Sequence, residues 1–498
     1  MSKRPPSGDV DVRLGTGGSS EPLDPDAPFR LLVLGDFGGA AAGPLATRKS
    51  HAVDRDNLEE ALGRLGVTLD IPVGDGRVAR IELRDLDDFH PDGLLERVDA
   101  LSAWGRMRGR LEDPRTFADA AREVRASAGP PPTRHEPPAP PAGGGDDIVG
   151  ELLAAASRRP KPAADAAFEA ELKAIVRPHL APEEDADLPR LRDAVDEARS
   201  GLLRAVLRNP RFRALEAAWR SLDLLVRRVD DESVRVFFLD ASRTALLEDI
   251  ASHDKLSGSG LYRRLVTETV ETPGAEPWGA VLGLYDFGPT LEDAALLSRL
   301  AKVARAAGAP FLAGARPDFV GCASLAATPD PHDWKEPHDE GAVIWEELCA
   351  LPEAAFIALA LPRLMLRAPY GAKTDPIDSF PFEEIAGADE HEAYVWGNGA
   401  LASALVLAGA FALGGWNLKP ESAAEIQGLP THLVKDGLET RVTPPSEVVL
   451  TVRAAERLLE AGLVPVLSLK GSDSVRVARL QAIAKPLRKL AGRWESPG

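Results

Sequence analysis

Residues 277–315 read PWGAVLGLYDFGPTLEDAALLSRLAKVARAAGAPFLAGA. PWGAVLGLYDF (277–287) is an apolar run ending in a turn, LEDAALLSRLAKVARAAG has helical spacing, and PFLAGA (310–315) is a second apolar run. Short apolar runs bounded by turn residues predict buried strands. Their alternation with helices predicts an α/β fold whose sheet is covered by helices. The rhythm extends both ways. Upstream, SVRVFFLD (233–240) predicts a strand and TALLEDIASH a helix, after a mostly helical stretch at 147–228 interrupted at Asn209–Pro210. Downstream, AAFIALALPRLMLRAPYG is apolar without a decided period, and AYVWGNGALASALVLAGAFALGGW turns into a buried helix. SEVVLTVRAAERLLEAGLVPVLSLKG predicts strand–helix–strand, and RKLAGRWESPG a frayed polar end.

A second strand-bearing region lies near the N-terminus. FRLLVLGDF predicts a buried strand from Phe29, and VTLDIPV (67–73) and GRVARIELRDLDDF (76–89) alternate in part like strands. Asp56–Leu65 predicts a short helix with Asp54 or Asp56 as N-cap. GLLERVDALSAWGRMRGRL predicts a helix after Pro91, and TFADAAREVRA another after Pro114. Residues 129–145 hold seven prolines and four glycines in seventeen positions, too many for a packed element, so they predict a linker. The chain is thus expected to divide into a disordered tail (1–26), a small α/β domain (27–128), a linker (129–146), a helical segment (147–208), a larger α/β domain (209–490) and a tail (491–498).

A chain of 498 residues exceeds what one hydrophobic core usually serves. Its net charge of -18 speaks against a nucleic-acid binder, because phosphate neutralisation needs a basic surface. Cys322 and Cys349 have no metal-ligand spacing and fit a reducing compartment. The first residues lack the apolar core of a signal peptide, and Leu401–Phe411 is too short to span a bilayer, so a cytoplasmic protein without membrane insertion is expected.

No motif assembles into a catalytic site. Leu34-Gly35-Asp36-Phe37-Gly38-Gly39 follows a strand but has neither the spacing of a dinucleotide loop nor the Lys-Ser/Thr of a phosphate loop. It predicts a plain turn with glycine supplying positive φ, and Gly283-Leu284-Tyr285-Asp286-Phe287-Gly288 has a similar shape. Gly35, Asp36, Gly283 and Asp286 are accordingly expected at structural turns. His332, Asp333, His338, Asp339 and Glu340 cluster without a ligand signature and read as a solvated loop. Glu383-Glu384 and Asp389-Glu390 are adjacent acids that also read as solvated. The serines of SGSG (257–260) are expected in a flexible turn. In RLMLRAPYGAKTDP (363–376), Arg367 is expected to lock a turn by pairing with Asp375 or Glu383. Trp219, Arg367, Tyr370, Trp396 and Trp416 are the expected core or interface anchors. No catalytic residue, metal or cofactor is implied.

Taken in order, these stretches resemble the contractile sheath proteins of type VI secretion systems. Phe29–Gly38, Pro44-Leu45, Val53-Asp54-Arg55-Asp56-Asn57-Leu58, Leu86-Asp87-Asp88-Phe89-His90-Pro91 and Leu111-Glu112-Asp113-Pro114 are similar to the small sheath subunit. Leu215-Glu216, Trp219-Arg220, Val281–Phe287, Leu361-Pro362-Arg363, Arg367, Pro369-Tyr370-Gly371, Phe382-Glu383-Glu384, Trp396-Gly397-Asn398, Gly415-Trp416 and Pro445-Ser446-Glu447-Val448 are similar to the large one. The resemblance implies a structural protein, not an enzyme. It would self-assemble around an inner tube of stacked ring proteins, contact baseplate components, and be disassembled by an AAA+ ATPase. Two departures stand out: here one linker joins what are usually two chains, and the large subunit usually continues well beyond the segment matching Leu463–Lys470. The second departure raises an alternative expectation, a non-contractile adaptor or assembly regulator that keeps the sheath fold.

Overall fold

A computed structural model describes residues 24–39, 43–72, 78–113, 115–128, 188–335, 340–385, 390–436 and 439–494. Among them, nine strands form one sheet in the order β11-β15-β14-β8-β7-β6-β1-β5-β2. They are β1 (Phe29–Gly35), β2 (His51–Val53), β5 (Val234–Asp240), β6 (Ala280–Phe287), β7 (Phe311–Ala315), β8 (Ile357–Leu361), β11 (Glu425–Ile426), β14 (Val464–Ser468) and β15 (Val475–Val477). The neighbours from β5 through β1, β6, β7 and β8 to β14 are parallel, and β2 and β15 are antiparallel to theirs. Parallel strands covered on both faces need near-continuous apolar side chains, and β7 and β8 are buried at every position.

β1 carries the central structural fact. It pairs with β5 from Phe29↔Val234 to Gly35↔Asp240 and with β6 from Leu31↔Ala280 to Leu34↔Gly283. The proline-rich stretch at 129–146 therefore separates two lengths of chain that share one sheet and one hydrophobic core.

The helices follow their caps. Asn209 accepts from the backbone N–H groups of Arg211 and Phe212, Pro210 takes the first turn, and the helix Pro210–Arg228 begins there, just after the helix Leu188–Leu207 ends. Thr290 caps Leu291–Ala307, which stops at Gly308 in the left-handed region (φ 62°). The apolar helix Ala400–Gly414 is buried along most of its length by the sheet, and no helix among the described residues is long and apolar enough to cross a membrane. A separate hairpin, β3 (Val67–Pro72) with β4 (Val78–Leu83), alternates buried and exposed residues. A second hairpin joins β12 (His432–Asp436) to β13 (Glu439–Thr443), and β9 (Leu364–Met365) pairs with β10 (Trp396–Gly397).

Several expectations change. Helix Leu58–Leu65 has Asn57 as its N-cap residue, while the Asp54 carboxylate accepts from the N–H groups of Asp56 and Asn57 and orders the preceding turn. The stretch after Pro91 forms two helices, Pro91–Arg97 and Asp99–Glu112, broken at the extended Val98. Ser446–Leu450 forms no strand before the helix Val452–Glu460. SGSG is fixed rather than flexible, because the Asp249 carboxylate accepts from Gly260 N (2.8 Å) and Leu261 N (3.0 Å). The expected tail packs as far as it is described: Leu490 and Ala491 are buried, and Arg493 donates to the Ala307 carbonyl.

Candidate functional site

The carboxyl ends of β1, β5 and β6 each carry an aspartate: Asp36, Asp240 and Asp286. The strand order steps from β5 across β1 to β6 here, which is where open α/β sheets commonly hold ligands. The three carboxylates have other occupations. Asp240 accepts from Phe37 N (2.8 Å), and burial, with Asp36 nearby, holds its carboxyl above the usual range. Asp36 accepts from Gly38 N (3.1 Å), and Asp286 from the Asn398 side-chain amide (3.0 Å). Among the described residues no group of His, Cys, Asp or Glu has the geometry to hold a metal ion.

The glycine expectations need correction. Gly35 lies within β1 and Gly283 within β6, and Asp286 belongs to the same strand, beyond an irregularity in its pairing with β7. The positive φ belongs to Gly38 (74°), in the turn that Asp36 orders. Gly283 is small for a different reason: a Cβ there would sit 2.6 Å from the Phe311 ring.

Arg367 is the centre of a buried ionic group. Its Nε donates to Glu216 (2.6 Å) and its Nη1 to Glu384 (2.6 Å), and all three residues are buried. The expected partners Asp375 and Glu383 face elsewhere: the Asp375 carboxylate lies 3.8 Å from His90 Nε2, and the Glu383 carboxylate accepts from Ala372 N. A guanidinium that loses its water needs fully desolvated acids around it, and Glu216 and Glu384 are those acids. Burial alone would raise the Glu216 carboxyl, but Arg367 and Arg220 beside it prevail and hold it below the ordinary carboxylate range. Arg220 also donates to the hydroxyl of Tyr370 (2.9 Å), whose pKa burial pushes up to about 12. Glu384 is therefore not the solvated acid expected of an adjacent pair.

The remaining anchors sit apart from one another. Trp219 is fully buried, and its indole N–H donates to the Phe37 carbonyl (3.1 Å). Trp416 is half-buried, donates to the Ala27 carbonyl (2.9 Å), and packs on Phe29 and Phe411. Trp396 belongs to a small cluster with Met365, Ile385, Ala393 and Tyr394. Glu390 pairs with Arg208, and His332 lies against Arg453. His338, Asp339 and Asp389 lie outside the described residues, as does the Glu340 side chain.

Sequence reasoning missed the partner acids. Glu216 stands four residues before Arg220 on one helix, a spacing that signals a pair, yet nothing local points to Arg367. The pairing of Arg363, after β8, with Glu447 (2.7 Å) likewise joins two stretches remote in sequence. What this geometry does is join distant segments; among the described residues no nucleophile, base and orienting group converge.

Residues 190–483 match the family model described as EvpB/VC_A0108, tail sheath N-terminal domain. The chain belongs to this tail-sheath family. Residues 4–127 match a second model, described as Type VI secretion system, VipA, VC_A0107 or Hcp2, so one sheath-family chain carries both the large- and the small-sheath parts. The type VI secretion system sheath protein TssC1 of Pseudomonas aeruginosa is 31% identical over 304 residues, 59% of this chain. The match spans 60% of the length of that relative. The small-sheath part contributes β1 and β2 to the sheet, and the large-sheath part contributes the other seven strands.

Proposed function

We propose that this chain is a structural unit of a cytoplasmic type VI secretion sheath. Copies assemble around an inner tube of ring proteins and drive it outward when their packing changes. The supporting observation is that both sheath parts lie in one chain and share one sheet, with β1 of the first between two strands of the second. Such a protomer has a fixed one-to-one ratio of its parts and moves as a unit. Two alternative packings of rigid protomers can store free energy between copies, so the work needs no bond chemistry inside any copy, and the chain is not an enzyme. Baseplate components would meet the end of the cylinder, and an AAA+ ATPase would dismantle the contracted form.

Negative-stain microscopy of the purified chain, alone and with the inner-tube ring protein, tests this. Striated tubules are expected. Discrete small particles under both conditions would replace a contractile wall with an adaptor or assembly regulator.

A further inference from the structure

We infer that copies of this chain join head to tail through two faces of opposite charge. One is basic, formed by the C-terminal segment with Lys419; the other is acidic, around the turn that follows β2. This deepens the assembly reading above and rests on it.

The basic face begins as a charge imbalance. The whole chain carries -18, yet between Lys470 and Arg493 it has seven basic residues and one acid, Asp473. The backbone holds this segment firmly. β15 pairs with β14, the Gln481 side-chain amide donates to the Leu463 carbonyl (2.8 Å), and Ile483 N donates to the Ile357 carbonyl (3.0 Å). Arg476 and Lys489 are exposed and paired, with Glu425 (3.0 Å) and Glu421 (3.1 Å). Lys419, Arg479 and Arg488 are exposed and have no ion pair among the described residues. Lys419 and Arg479 flank a groove of about 760 Å³ that is also lined by Val406, Leu480, Leu490 and Trp494. Glu421 and Glu425 also line this groove and take Lys489 and Arg476, so its net positive charge comes from Lys419 and Arg479, and that charge over apolar side chains fits a surface carrying carboxylates.

This chain carries such a surface. Asp54, Asp56, Glu59 and Glu60 fall within seven residues directly after β2, and all four are exposed. Asp230 and Glu232, in the turn before β5, are exposed too, and Arg55 lies 3.8 Å from Asp230, which brings the two stretches together. Asp56, Glu59 and Glu232 form no ion pair among the described residues. β2 ends the strand order on one side, while β15 is next to last on the other. One copy therefore offers opposite signs at different places. A two-fold contact through either face alone would set like against like, whereas a heterologous contact sets basic against acidic and leaves both outer faces free to continue. The partner that fits is a second copy of this chain.

The test is sedimentation velocity on the full chain and on two double variants, Arg479→Glu with Arg488→Glu, and Asp56→Lys with Glu232→Lys. Wild type is expected to associate, and to do so less as salt rises. Each variant alone should associate about ten-fold or more weakly. Mixed together, the two variants should regain association, because their intact faces pair and their two reversed faces are again of opposite sign. Circular dichroism melting checks that the variants fold, and the neutral pairs Arg479→Gln with Arg488→Gln and Asp56→Asn with Glu232→Gln, mixed together, should stop at a one-to-one complex, because each retains the one charged face its partner lacks. Wild type that associates while the variants associate equally well would overturn the charged faces and leave assembly standing. Wild type that stays monomeric at every salt concentration would overturn both.

Discussion

The indole N–H of Trp219 donates a 3.1 Å hydrogen bond to the carbonyl of Phe37, and the two rings meet edge to face at 5.2 Å. Trp219 lies in the large-sheath part and Phe37 in the small-sheath part, 182 residues apart in sequence. Phe238 of β5 packs against both rings, and the Asp240 carboxylate caps the Phe37 N–H. The turn after β1 is thus completed by residues of the other part. Truncating Trp219→Ala removes a fully buried side chain and should cost about 3–5 kcal/mol, whereas Trp219→Phe keeps much of the packing but orphans the Phe37 carbonyl and should cost about 1–3 kcal/mol. Chemical denaturation of both variants against wild type measures the difference. A Trp219→Phe protein as stable as wild type would mean that the hydrogen bond adds nothing to the packing.

A cut in the linker should not separate the two parts. β1 is hydrogen-bonded on both sides, to β5 and β6, so pulling it out would open the middle of the sheet. The two parts also meet elsewhere: Arg108 donates to Asp196 (2.8 Å) and Arg48 to the Asp240 carbonyl (2.8 Å). With a protease site placed within 129–146, the cleaved fragments should co-elute in size-exclusion chromatography and separate only in denaturant. Fragments that part in native buffer would show that the shared sheet depends on the covalent link.

Much of this fold is legible in the sequence, but only the local part. Apolar runs and turn residues locate β5, β6 and β7, and Asn209-Pro210 marks a helix start because its cap and first-turn chemistry is local. Strand order is not local. Nothing in FRLLVLGDF says that its neighbours lie beyond the linker, since a parallel pair carries no turn signal. The same limit explains the errors at the site. Arg367 is expected to pair with acids nearby in sequence, yet one true partner, Glu216, lies 151 residues away on the helix Pro210–Arg228. Gly35 and Gly283 resemble turn glycines by composition, but their requirement comes from neighbouring side chains across the sheet.

Acid should weaken the Arg367 cluster. The Glu216 carboxyl titrates lower in the folded chain than its ordinary value of 4.5. In acid the unfolded chain therefore binds this proton first. The stability that Glu216 contributes is complete above the unfolded value and is lost as pH falls through it toward the lower folded value. Arg367→Met removes the cation and leaves Glu216 and Glu384 buried without it, which should cost about 3–5 kcal/mol at neutral pH. It should also raise the Glu216 carboxyl, so the variant should lose less of its remaining stability between pH 6 and 4 than wild type does. Denaturation midpoints at several pH values measure both effects. A variant as acid-sensitive as wild type would show that other carboxylates govern the acid response.

Two glycine-to-alanine changes should act in opposite directions. Gly260 faces the small-sheath part, and a Cβ added there would lie 2.4 Å from the Ala46 Cα. Backbone cannot yield as a side-chain tip can, so Gly260→Ala must push the segment Leu45–Thr47 away and should cost about 1–3 kcal/mol. Gly201 lies inside the helix Leu188–Leu207, and an added Cβ meets nothing within 4 Å. There alanine restricts the unfolded chain and favours the helix, so Gly201→Ala should stabilise by about 0.5–1 kcal/mol. Thermal melts of the two variants beside wild type would separate them on either side of it. A Gly260→Ala protein that melts with wild type would mean that the two parts do not touch at Ala46, and the close seam between them would have to be redrawn.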